Sequence, residues 1–193
     1  MSVKRQKGYV AVRLIHIPHS SCRMVNFLTI MTTIKSPKPF SASRVTLSQL
    51  MHLEHANLLG NVHGGWIMKL ADEAGALACM RHAQRKVVTV AIDSMTFREP
   101  IKIGDLVTFN AVVTYTGRTS MEAEVNVHAE NPVTRERSHT NTAYLVYVAL
   151  DDEGKPTEIP QLMAENDEET QKLTQGKERQ ERRLKEKRIR ESQ

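Results

Sequence analysis

Between Val87 and Leu150 the chain is strand after strand, and the joints between the strands are too short to hold a helix. Met121, Ala123, Val125, Val127 and Ala129 alternate with Glu122, Glu124, Asn126 and His128, the period of two expected of a strand with one apolar and one wet face. Upstream, Val87 to Phe97 and Leu106 to Thr116 read as strands, parted by a turn around Glu99-Pro100 and Lys102-Ile103-Gly104-Asp105. Thr116-Gly117-Arg118-Thr119 is the hairpin turn that follows, Asn131-Pro132 closes the period-two segment, and Thr140 to Leu150 reads as the last strand. Strands joined in this way are expected to pair with their sequence neighbours, antiparallel.

Only one long helix precedes them. From Gly64 to about His82, apolar residues at Trp66, Ile67, Leu70, Ala71, Ala74, Leu77 and Ala78 recur at helical spacing and define one broad face. Ala71, Ala74, Gly75, Ala76 and Ala78 keep that helix thin, so a sheet can approach it closely. With a first strand from Val45 toward Leu53, the expected architecture is α+β: an antiparallel sheet of five strands packed on one central helix, within residues 44–162.

The flanks differ in composition. No acidic residue precedes Glu54, and that stretch holds 8 of the 27 basic side chains, so residues 54–193 carry 19 basic against 22 acidic groups. The positive charge therefore belongs to a basic leader, residues 1–43, expected to lack order; it reads either as a transit peptide or as an extension, with Met24 or Met31 as alternative starts. Residues 163–193 run from acid to base, which suits a helix dipole. Leu173, Leu184 and Ile189 are too sparse for a buried stripe, so a solvated helix is expected. Basic residues gathered in flanks rather than on a folded face disfavour a nucleic-acid partner. Two lone cysteines, Cys22 and Cys79, rule out a disulfide scaffold and give no structural zinc spacing. The longest apolar run, Ala143 to Leu150, is eight residues, against the ~20 needed to span a bilayer.

Chemistry concentrates at the start of the helix. Asn57-Leu58-Leu59-Gly60-Asn61-Val62-His63-Gly64-Gly65 runs straight into it, and a helix N-terminus with free N–H groups and no Cβ in the way suits a developing oxyanion. Asp72 shares its helix face with Met68, Gly75, Ala76 and Cys79, an apolar setting in which a carboxylate is costly unless used as a base or nucleophile. The alternative is a carboxylate bonded to a loop, Arg81 or Arg98. Glu73 is expected to pair with Lys69, and His63 to cap the helix or donate to an oxyanion. No serine sits in a nucleophile elbow.

The segment N-x-x-G-x-x-H-G-G, the Asp72-Glu73 pair, VVTVAIDSMTF, the Pro100, Gly104, Asp105 turn, YTGRTSMEAEVNV and DDEGKPTEIPQ together resemble the hotdog-fold acyl-CoA thioesterases of the cytosolic acyl-CoA hydrolase type, over about Thr46 to Leu162. The resemblance implies a sheet wrapped round the central helix, pairing of two such units into a homodimer, assembly of three dimers into a hexamer, and a place in fatty acid metabolism. It implies hydrolysis of acyl-CoA to free fatty acid and CoA, with Asp72 as general base or nucleophile, Asn57 from the partner subunit and the Gly65 N–H on the carbonyl. Substrate contacts are expected at Gly64, Trp66, Thr96, Phe97, Arg98, Arg118, Thr119 and Ser120, with Trp66 and Phe97 lining the acyl pocket. No cofactor or metal is expected, coenzyme A being part of the substrate. The location implied is cytoplasmic, or mitochondrial if the leader is a transit peptide. Competing readings are a hotdog hydratase using His63 with Asp72, and a non-catalytic acyl-CoA-binding sensor.

Overall fold

A computed structural model describes residues 36–192. Residues 1–35, with Cys22, Met24 and Met31, lie outside the described residues, and so does the question of what the leader does. Its expected boundary at residue 43 is corrected: strand β1 (Lys38–Pro39) pairs in parallel with β7 (Leu162–Met163), and the 3-10 turn Phe40–Ser43 follows directly. Phe40 is 1% exposed, inside the main core, and Ser43 Oγ donates to Phe40 O and accepts from Val113 N. One aromatic anchor just after Pro37 and Pro39 carries no periodicity, which is why the segment reads as tail.

The main sheet has the order β2-β4-β5-β6-β3, all antiparallel, with β2 Val45–Leu50, β3 Lys86–Phe97, β4 Leu106–Thr116, β5 Ser120–Glu130 and β6 Arg137–Leu150. One expected neighbour pairing fails. β3 lies against β6 and not β4, because the connection between β3 and β4 is long enough to cross the end of the sheet, anchored by buried Ile101 and a bridge from Lys102 to Asn61. This leaves β3 as a twelve-residue edge strand, with Val88, Val90 and Ile92 43%, 54% and 43% exposed.

Helix α1 (Gly64–Ala83) packs on the inner face, burying Ile67, Leu70, Ala71, Ala74, Ala78 and Cys79 against the alternate residues of β4, β5 and β6. Leu77 turns outward. The second helix, α2 (Asp167–Glu191), crosses the outer face, so the expected free, solvated helix is also corrected. A Cβ on Gly176 would stand 2.8 Å from Tyr115 Cβ and 3.1 Å from Thr114 O, so α2 there rides backbone against strand. Beneath it Glu122 is fully buried: Arg179 Nη2 and Arg183 Nη1 each donate to it at 2.7 Å, and Thr114 Oγ1 at 3.0 Å. Lys172 reaches Glu124 at 3.3 Å, and Arg183 and Arg182 reach Asp93 at 3.1 and 3.2 Å. The Arg179 guanidinium lies 3.9 Å from the Tyr144 ring centre, while burial, then neighbouring Glu124, pushes the Tyr144 phenol up to about 12. The wet face of β5 is thus a charged floor under a helix.

Candidate active site

Asp72 lies in the third turn of α1, half-buried against the sheet. Thr89 Oγ1 of β3 donates to its Oδ1 at 2.7 Å. The Tyr147 hydroxyl of β6 donates to Asp72 O at 2.9 Å and to the same Oδ1 at 3.1 Å. Among the described residues Oδ2 has no hydrogen-bond partner, so one carboxylate oxygen is held and the other is available for chemistry. The alternative partners Arg81 and Arg98 are excluded: Arg81 donates to Arg44 O and Arg98 lies at the far end of β3. Neither Thr89 nor Tyr147 stands out in the sequence, since a threonine between valines and a tyrosine in an apolar run both read as ordinary strand.

The start of α1 is built differently from the expectation. His63 is the N-cap, and its Nδ1 accepts from the Gly65 N–H at 2.9 Å, which confirms its capping role and occupies the donor assigned to the carbonyl. Among the described residues no hydrogen bond is made by the Gly64 N–H, in contrast to those of Gly65 and Trp66. Gly64 lines a cleft of about 310 Å³ together with Asn57, Ile67, Phe97, Arg98 and Ile101, among others. Asn57 Oδ1 accepts from Leu59 N at 2.8 Å and Asn61 N at 3.2 Å, an arrangement that fixes the loop before the helix.

The remaining expected residues fall in separate places. Trp66 stacks edge-on against His55 and lines a shallow hollow with His63, Gly65 and Lys69, so within one chain it does not share a pocket with Phe97. Thr96 is exposed, and its carbonyl accepts from Asn141 Nδ2 at 2.9 Å. Arg118 is 79% exposed beside Glu158 at 3.5 Å; Thr119 O accepts from Ala149 N and Ser120 O from Gly117 N, so the turn is held by its backbone. The sheet register puts Ser120 opposite Val148 and Phe97 opposite Asn141, seven residues and about 23 Å apart along β6. The expected site residues therefore fall in two groups: Asp72, Thr89 and the Arg118 turn toward one end, and Asn57, Gly64, Phe97 and Arg98 at the other.

Residues 59–136 match the family described as the thioesterase superfamily. A solved apo-hexameric acyl-CoA thioesterase is 38% identical, with a TM-score of 0.75, over 79% of this chain and 97% of that one. The chain belongs to the thioesterase superfamily. The superfamily's solved structures include an acyl-CoA hydrolase from Staphylococcus aureus in complex with butyryl coenzyme A, coenzyme A and coenzyme A disulfide, 35% identical with a TM-score of 0.73 over 80% of this chain and 94% of that one. Mutants of that hydrolase replace an asparagine, an aspartate or a threonine with alanine. The cytosolic acyl coenzyme A thioester hydrolase of Rattus norvegicus is 36% identical over 153 residues, 77% of this chain, which spans 40% of that relative's length. Superfamily membership agrees with the hotdog arrangement of one helix in a five-stranded antiparallel sheet.

Proposed function

We propose that the chain is an acyl-CoA thioesterase, releasing free fatty acid and CoA, and that it acts as a homodimer with two equivalent composite sites. The observation that carries this is the position of the half-sites. Thr89, beside Asp72, and Phe97, beside Gly64, are eight residues and about 26 Å apart on β3. Antiparallel pairing of the exposed β3 edge with its two-fold copy reverses the strand, setting the Asp72 end of one chain against the Asn57 end of the other. The spacing of the altered residues in the Staphylococcus aureus hydrolase supports it: asparagine to aspartate is 15 and aspartate to threonine 17, as in Asn57, Asp72 and Thr89.

In this reading the free Oδ2 of Asp72 takes a proton from water as the water oxygen attacks the thioester carbonyl, or itself attacks to give an anhydride that water then opens. The Gly64 N–H, unlike that of Gly65, is open to polarise the carbonyl. The tetrahedral intermediate collapses with cleavage of the C–S bond, and the thiolate leaves to be protonated as CoA. Asn57 of the other chain orients the water or carbonyl, Phe97 lines the acyl end, and Arg118, with Thr119 and Ser120, holds a CoA phosphate once it leaves Glu158. The reaction draws on water and the chain's own residues, with coenzyme A entering as part of the substrate. Assembly of three dimers into a hexamer and a cytoplasmic location belong to the same proposal; among the described residues no helix is long and apolar enough to cross a membrane.

The test is CoA release from a panel of acyl-CoAs by wild type, Asp72→Ala and Asn57→Ala, alone and after subunit mixing. Each variant alone is inactive. A 1:1 mixture regains about a quarter of wild-type turnover, since half of the dimers are mixed and each holds one intact site. No recovery from an exchanged mixture places both residues in one chain's site, and an inactive wild type refutes hydrolysis.

A further inference from the structure

The carboxylate that the proposed reaction depends on is held by a group that the reaction itself does not use. Tyr147 is fully buried in β6, and the inward residues around it are Ala143, Leu145 and Ala149. Its hydroxyl is the polar group of that apolar row, and both of its acceptors belong to Asp72. The helix is cut away to let it in. A Cβ on Gly75, one turn after Asp72, would stand 2.5 Å from the Tyr147 hydroxyl oxygen, so any side chain there collides with the phenol or displaces it. Burial first, and then the Asp72 charge, push the phenol far above its ordinary range, so it stays a donor at any working pH.

We propose that Tyr147, admitted by Gly75, is a positioning residue for the reaction: with Thr89 it pins Asp72 Oδ1, and so fixes the direction in which Oδ2 meets water or the thioester. The inference rests on Asp72 being the reacting carboxylate. It contacts no substrate in this role and acts through Asp72 alone. A purely structural tyrosine would only tie α1 to the sheet through the Asp72 carbonyl. The positioning role adds a coupling to Thr89, because the two donors share one oxygen.

The experiment compares full-length wild type, Tyr147→Phe, Thr89→Val, the double variant, Gly75→Ala and Asp72→Ala, measuring kcat and KM for CoA release alongside thermal unfolding. Tyr147→Phe keeps the ring and loses the hydroxyl; kcat falls about tenfold, as for loss of a hydrogen bond to a charged group, while KM stays within about twofold. In the double variant the loss exceeds the product of the single losses, since no donor then holds Oδ1. Gly75→Ala retains the tyrosine yet lowers kcat in the same way, by forcing the hydroxyl off the carboxylate. An unchanged kcat in Tyr147→Phe, or losses that multiply independently of Thr89, overturns the inference while an inactive Asp72→Ala leaves the thioesterase reading standing. An Asp72→Ala variant as active as wild type removes the reading itself and the inference with it.

Discussion

The two helices lie on opposite faces of one sheet and are attached by different means. α1 is held by shape: Ala71, Ala74 and Ala78 bring it close enough for Tyr147 and Thr89 to reach Asp72. α2 is held mainly by charge, through Arg179 and Arg183 on Glu122, Lys172 on Glu124, and Arg182 with Arg183 on Asp93, around one close backbone approach at Gly176. Close apolar packing leaves a helix little room to shift, whereas a buried ion pair is costly to break because loss of one partner strands the other charge. The helix with the chemistry is thus on the side where position is most tightly defined, and stability and activity should respond separately to damage on the two faces.

The largest stability effect is expected on the charged face. Arg179→Ala leaves the fully buried Glu122 carboxylate with two of its four hydrogen bonds and should cost about 3 kcal/mol in urea unfolding, with kcat unchanged. A parallel fall in kcat would erase the separation. Next, Ala78→Leu forces α1 off the sheet, costing about 1–3 kcal/mol, and kcat should fall with it because Asp72 moves away from its donors. Full activity in that variant would show that the close fit is not needed.

A smaller effect depends on pH. Burial, outweighing the bond to Pro160 O, holds the His82 imidazole below its ordinary 6.5, so the unfolded chain takes up the proton more readily than the folded one. Stability is complete above pH 6.5 and is lost as pH falls through the window below it, by at most about 1.4 kcal/mol per pH unit. His82→Gln should flatten the dependence of Tm on pH between 5 and 6.5, leaving the share contributed by His128, which burial lowers in the same direction. An unaltered slope assigns the dependence elsewhere. Least of all, Lys69→Ala breaks an exposed pair with Glu73 and should change stability by only about 0.3 kcal/mol.

Much of this was legible in the sequence where one physical rule dominates. Small residues at helical spacing gave α1, strict alternation gave β5, and a carboxylate on an apolar helix face marked Asp72. Where two rules conflict, the sequence misleads. Glu122 and Glu124 alternate with apolar residues as solvent-facing groups do, and nothing local says that Arg179 and Lys172, some 50 residues on, will cover them. α2 reads as solvated for the same reason: its docking side is made of charges. The Gly65 donor comes with the family resemblance, and only the structure shows the His63 ring accepting that N–H. Trp66 and Phe97 look equally suited to an acyl pocket by composition, and separate because α1 and β3 carry them to different hollows.

The charged floor under α2 also bears on the order in which the protein is made. Strands β1 to β7 and α1 all precede residue 164, so the sheet and its inner core can form while α2 is still being synthesised. During that interval the uncovered outer face shows water Glu122, Glu124, Tyr144 and Asn126, which interrupt its valines, Val112 and Val146. A helix that docked by apolar contact would leave a sticky sheet face waiting for it, open to other nascent chains. Docking largely by charge lets the last helix arrive late with less of that exposure.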